Sequence, residues 1–181
     1  MEVRYSPDPV RFCRMTTQEV RDNFLIESLF QPDAIDMVYS DIDRAIAGSA
    51  VPVKGKLELT SADELRADYF CQRRELGILN IGSEGSVTID GEKYVMNNRD
   101  CLYVGRGSKS ITFESSDAKS PAKYYLLSYP AHKEYPVVHI KQSQSTPVKL
   151  GSAEECNQRT IYKCIHPNNA KSCQLAMGFT I

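Results

Sequence analysis

The chain has 181 residues, with 22 lysines and arginines against 23 aspartates and glutamates. That length fits one full domain with some extra chain, and the charge balance leaves no electrostatic footprint for nucleic acid or an anionic membrane. No apolar run approaches the roughly 20 residues needed to span a bilayer, and the opening MEVRYSPDPVRF lacks the apolar stretch of a signal peptide, so a cytoplasmic protein is expected.

Residues 1 to 15 read as irregular, with Pro7 and Pro9 close together. Thr16 then opens a short helix. Thr16 and Glu19 have capping-box spacing, and Val20 and Phe24 share a face, which predicts a helix laid against the rest of the fold. After Gln31-Pro32-Asp33 the chain turns strand-like over residues 35 to 40 and 44 to 53. Ser61 and Glu64 repeat the capping spacing, predicting one helical turn at 62 to 66.

From Tyr69 onward short strands dominate. Asp90-Gly91 is a two-residue hairpin signal, with Val87 and Ile89 on one arm and Tyr94 and Met96 on the other. Leu102 and Val104 share a face of the next strand, which Gly105-Arg106-Gly107 ends; Ile111–Phe113 and Tyr124–Tyr129 continue the sheet. Gly82-Ser83-Glu84-Gly85 opens no helix, so it is a turn and not a phosphate loop. Pro130 to Gln144 reads as a crossing segment, followed by strands at Pro147–Leu150, Arg159–Ile165 and Cys173–Ile181. The last strand needs partners that nothing after it supplies. The expectation is therefore an all-β chain with a barrel over 1–145 and the first strands of an incomplete second barrel over 146–181. The alternative is that the second stretch adds strands to the first barrel.

The run from Arg73 to Ser115 resembles a cupin-type, jelly-roll barrel. Metal-bearing cupins present two His and a Glu from one hairpin and a further His from the next. Here Glu75 fills the Glu place. The positions before it hold Asp68 and Phe70, or Tyr69 and Cys71 in the other register, and the later His place falls near Ser108. A metal-free scaffold or binding barrel is expected.

Several blocks sharpen the resemblance: MVYSDIDRAIAG (37–48), YFCQRRELGILNIGSEGSVTIDG (69–91), RDCLYVGRGSKSITF (99–113), SPAKYYL (120–126) and CQLAMGFT (173–180). Together they resemble the N-terminal part of the 5-keto-4-deoxyuronate isomerase family, the 4-deoxy-L-threo-5-hexosulose-uronate ketol-isomerases. The resemblance implies a two-barrel subunit, a homohexamer, and isomerisation of a uronate breakdown product in pectin catabolism. It also implies a zinc ion held by three His and a Glu of the second barrel, beyond the last residue here. No catalytic residue and no metal ligand is carried over, no cofactor is expected in this chain itself, and its substrate-binding residues are not assigned. The rival readings are a metal-free module that binds a sugar acid and a purely oligomeric module.

Three residue groups remain as candidates. Arg73, Arg74 and Glu75 form the densest charge cluster: an arginine fork could grip a uronate carboxylate, or the group could pair with Asp41, Asp43 or a partner subunit. Asp41 and Asp43, two apart, would share one face of a strand beside Arg44 and suit an ion-pair role at an interface. Cys156, Cys164, His166 and Cys173 are zinc-like in type but lack the close cysteine pairs of a zinc knuckle. His132 and His139, seven apart, lack ligand spacing. The six cysteines are expected to be reduced and mostly buried.

Overall fold

A computed structural model describes all 181 residues. The N-terminal arm is more ordered than its prolines suggest. Strand β1 (Glu2–Arg4) lies parallel to β2 (Ile35–Ser40), and Asp8 caps the single turn α1 (Pro9–Phe12). Helix α2 (Thr17–Phe24) carries the expected capping box: the Glu19 amide donates to Thr16 Oγ1 at 3.2 Å, and the Thr16 amide donates to Glu19 Oε2 at 2.7 Å. The expected packing of this helix on the barrel is not found, since none of its residues is buried. Phe24 instead meets the Phe12 ring edge-on at 5.8 Å.

The strands follow as β3 (Ile46–Ala50), β4 (Leu57–Glu58), β5 (Arg74–Asn80), β6 (Gly85–Ile89), β7 (Glu92–Met96), β8 (Cys101–Val104), β9 (Ile111–Ser115), β10 (Tyr124–Pro130), β11 (Val138–Ile140), β12 (Thr146–Leu150), β13 (Arg159–Ile165) and β14 (Met177–Thr180). They form three sheets. The first has seven strands in the order β1-β2-β3-β10-β5-β8-β11, the second has four in the order β4-β9-β6-β7, and the third has three in the order β12-β13-β14. The segment expected as a plain crossover thus contributes an edge strand, β11, against β8.

Alternation along the central strands explains the layering. Leu76, Ile78, Leu102, Val104, Tyr124 and Leu126 face the four-stranded sheet, where they meet Val87, Met96, Ile111 and Phe113 in a core of 17 buried residues. This is the cupin-type jelly-roll sandwich, although its two sheets do not join into one continuous ladder. The intervening positions Leu79, Cys101 and Tyr103 face the other way. They meet Cys164, Ile165, Leu175 and Met177 in a second cluster of nine. Residues 146 to 181 therefore pair among themselves and cover the outer face of the seven-stranded sheet. Covered on both faces, all seven residues of β5 are buried.

The β6–β7 turn is as its sequence predicts. Asp90 and Gly91 take φ of 49° and 91°, which the right-handed twist of a two-residue hairpin requires. Asp90 Oδ1 also accepts the amides of Lys109 (2.9 Å) and Ser110 (2.8 Å), tying this turn to the loop before β9. A turn of 3₁₀ helix does form at Asp63–Leu65, but without a side-chain cap; the Ser61 hydroxyl is buried and unpartnered. No helix is long and apolar enough to cross a membrane.

Candidate functional site

The Arg73-Arg74-Glu75 cluster sits where β5 begins, and alternation sends its members apart. Glu75 is fully buried and points to the outer face, away from the sandwich interior where a cupin metal would be held. Its Oε1 accepts the amides of Gln174 and Leu175, each at 2.7 Å, and its Oε2 accepts the Cys173 amide and the Tyr103 hydroxyl, each at 2.8 Å. All four partners donate, which suits an acceptor-only carboxylate. Burial, then the bond to Glu75, pushes the Tyr103 phenol well above the usual tyrosine range. Cys173–Ala176 was expected to begin the last strand; instead its amides serve Glu75, and the strand starts only at Met177.

Arg74 faces the interior side and is 6% exposed. Its Nε donates to Ser128 Oγ (3.1 Å) and its Nη2 to the carbonyls of Ser128 (2.9 Å) and Arg44 (2.6 Å). Burial lowers its pKa to about 10. Arg73 is exposed and donates through Nη2 to the carbonyls of Leu65 and Arg66. The expected pairing of these arginines with Asp41 or Asp43 does not occur: the ion pairs of the chain all lie elsewhere. Asp41 instead accepts the amide and hydroxyl of Ser6 at 2.9 and 2.7 Å, and the Ser6 hydroxyl, then its amide, lowers the Asp41 pKa. The shared strand face expected for Asp41 and Asp43 is also absent. β2 ends at Ser40, and both Asp43 and Arg44 take a left-handed φ of 52°.

Arg73 and Arg74 nonetheless share a cleft of about 310 Å³ at the mouth of the sandwich, lined also by Tyr39, Arg44, Arg66 and Phe70. The cleft is thus rich in arginine. Sequence reasoning missed Arg44 and Arg66 as members, because they come from two separate left-handed turns.

The zinc-like quartet is not assembled. Cys164 joins the outer cluster, Cys173 Sγ lies 3.5 Å from the Lys133 carbonyl, and Cys156 is exposed in the β12–β13 connection. Three of the six cysteines, Cys71, Cys101 and Cys164, are buried, and none is paired. Burial pushes the Cys71 thiol up to about 12. No three His, Cys, Asp or Glu residues come together, and the interior positions flanking Glu75 are Arg74 and Leu76. Phe70 and Cys71 lie in a buried 3₁₀ turn, and Ser108 lies in the turn after β8. His139 is half-buried, 3.6 Å from Asp100 Oδ2, and its Nε2 makes no hydrogen bond.

The sequence profile of the KduI/IolB family matches residues 25–181, beginning just past α2. The chain belongs to the KduI/IolB family. Among its relatives, the 4-deoxy-L-threo-5-hexosulose-uronate ketol-isomerase of Halalkalibacterium halodurans is 48% identical over all 181 residues. The enzyme of the same name from Caldicellulosiruptor bescii is 50% identical over the same span. In both cases this KduI/IolB chain spans 66% of the relative's length. An IolB-like protein from Salmonella typhimurium LT2 superposes with a TM-score of 0.55 at 14% identity, over 71% of this chain and 46% of that one; the likeness is one of fold.

Proposed function

We propose that this chain is the N-terminal, non-catalytic part of a 4-deoxy-L-threo-5-hexosulose-uronate ketol-isomerase acting in uronate catabolism in the cytoplasm. The observation that carries this reading is the match, unbroken over 181 residues, to relatives of that name. The reaction moves a carbonyl to a neighbouring hydroxylated carbon, giving 3-deoxy-D-glycero-2,5-hexodiulosonate. It requires a base to take a proton and a group to stabilise the enediolate. A zinc ion would supply that stabilisation, with ligands from outside these residues. The part played by this chain is to hold a platform. Glu75 fixes residues 173 to 175, and through them seats the sheet β12-β13-β14 on the first sandwich. The exposed side of β13 and β14 then offers a surface for further strands. Six unpaired thiols accord with a reducing compartment.

The test compares this chain with one of the relatives' full length. Turnover of the hexosulose uronate, with about one zinc per chain by elemental analysis, is expected of the longer chain only. Turnover by the 181-residue chain alone would remove the scaffold reading.

A further inference from the structure

The cleft at the start of β5 is unlike the other charged surfaces of this molecule. Four arginines line it, Arg44, Arg66, Arg73 and Arg74, with Glu64 as the one carboxylate. None of the four belongs to an ion pair. Arginines on a surface usually find a carboxylate or water; Arg74 has no carboxylate and is only 6% exposed. The chain satisfies its Nε and Nη2 with neutral oxygens and gives Nη1 no partner. A guanidinium that lines the cleft is thus fixed by Ser128 and the Arg44 carbonyl, with its Nη1 left free of any protein partner.

The walls indicate what belongs there. Leu65, Phe70 and Pro130 are apolar, and Tyr39 adds a ring. A bare inorganic ion would leave these surfaces unused, whereas an organic acid would cover them. The volume of about 310 Å³ stands at the small end of ligand sites, which run from about 300 to 1,000 Å³. Two of the arginines, Arg44 and Arg66, are held at left-handed φ of 52° and 48°, a cost that bulky residues rarely carry.

We propose that this cleft binds the carboxylate of a small organic acid, anchored on Arg74 Nη1 and ringed by Arg44, Arg66 and Arg73. The site stands independently of the isomerase reading, because its test reads binding and not turnover. Calorimetric titration of the full chain uses three probes: D-galacturonate, its neutral parent D-galactose, and inorganic phosphate. Galacturonate is expected to bind at millimolar concentration or below, and galactose not at all. Arg74→Lys keeps the charge but loses the fork, and is expected to weaken galacturonate about tenfold. Arg66→Glu and Arg44→Glu change exposed residues; each is expected to weaken binding about fivefold or more, even if the Arg74 variant misfolds. No galacturonate binding by the parent chain overturns the proposal. So do equal affinities for galactose and galacturonate, tighter binding of phosphate than of galacturonate, or rim variants that bind as the parent does.

Discussion

The two faces of the seven-stranded sheet are covered in different ways. The inner face meets the four-stranded sheet mainly through apolar side chains, Leu76, Ile78 and Leu102 on one side, Val87, Met96 and Phe113 on the other, with the Tyr124 hydroxyl donating to the Ser86 and Glu114 carbonyls as a polar tie. The outer face has a smaller apolar cluster and, at its end, one buried carboxylate with four donors. Apolar packing is non-directional and tolerates sliding, whereas a carboxylate with four fixed donors specifies one position. The inner layer is therefore held chiefly by its larger apolar area, and the outer layer adds to a smaller one the four-donor attachment at Glu75.

The comparison can be broken by experiment. Phe113→Ala, in the inner core, is expected to cost about 3–5 kcal/mol and to lower denaturant stability of the whole chain together. Glu75→Ala leaves three amides and the Tyr103 hydroxyl without an acceptor, for about 3 kcal/mol, and its effect is expected to be local. Hydrogen exchange should speed up over residues 159 to 181 and stay slow in β6 and β9; exchange rising equally in all of them would contradict the point attachment. Gly77 sharpens the contrast, because an added Cβ would sit 2.9 Å from Ile165 Cδ1 and Leu175 Cδ2. Gly77→Val is expected to cost about 1–3 kcal/mol, felt as loosening of the outer layer without change in the inner one.

The smallest effect concerns pH. Burial lowers the His139 pKa below 6.5, with Asp100 only partly opposing it. The unfolded imidazole therefore protonates before the folded one, so this contribution is complete above pH 6.5 and is lost as pH falls through it. His139→Gln should flatten the decline just below that pH, by about 1 kcal/mol or less, since Asp100 partly offsets the burial. A parent chain whose stability does not change there would count against it.

What the sequence disclosed, and what it hid, divides by distance along the chain. Asp90-Gly91 and Thr16 with Glu19 declare their structures within a few residues, and both form as read. Alternation in Cys101–Val104 put Leu102 and Val104 on one face, which is the inner one, but the outer partner of Cys101 and Tyr103 was not read. The Glu75 attachment could not be read, because its amide donors lie 98 to 100 residues away and belong to backbone, which carries no sequence signature. The apolar character of Cys173–Ala176 suggested a strand for the same reason. Asp41 and Asp43 misled because a strand spacing means nothing once the chain leaves the strand at Ser40. The arginine cluster at 73 and 74 was legible as charge, but the burial of Arg74 depended on the Ser128 and Arg44 oxygens.

The long span of the Glu75 attachment also sets an order of events during synthesis. A ribosome adding about 5–20 residues per second takes about 5–20 s to go from Glu75 to Leu175. Through that interval the first sandwich can close on its inner face while the outer face of β5 still meets water. A carboxylate at one end of that waiting surface is then hydrated, because its amide donors at 173 to 175 have not yet been made. The residue that fastens the outer layer is thus a solvated charge on an uncovered sheet until the last residues of the chain reach it.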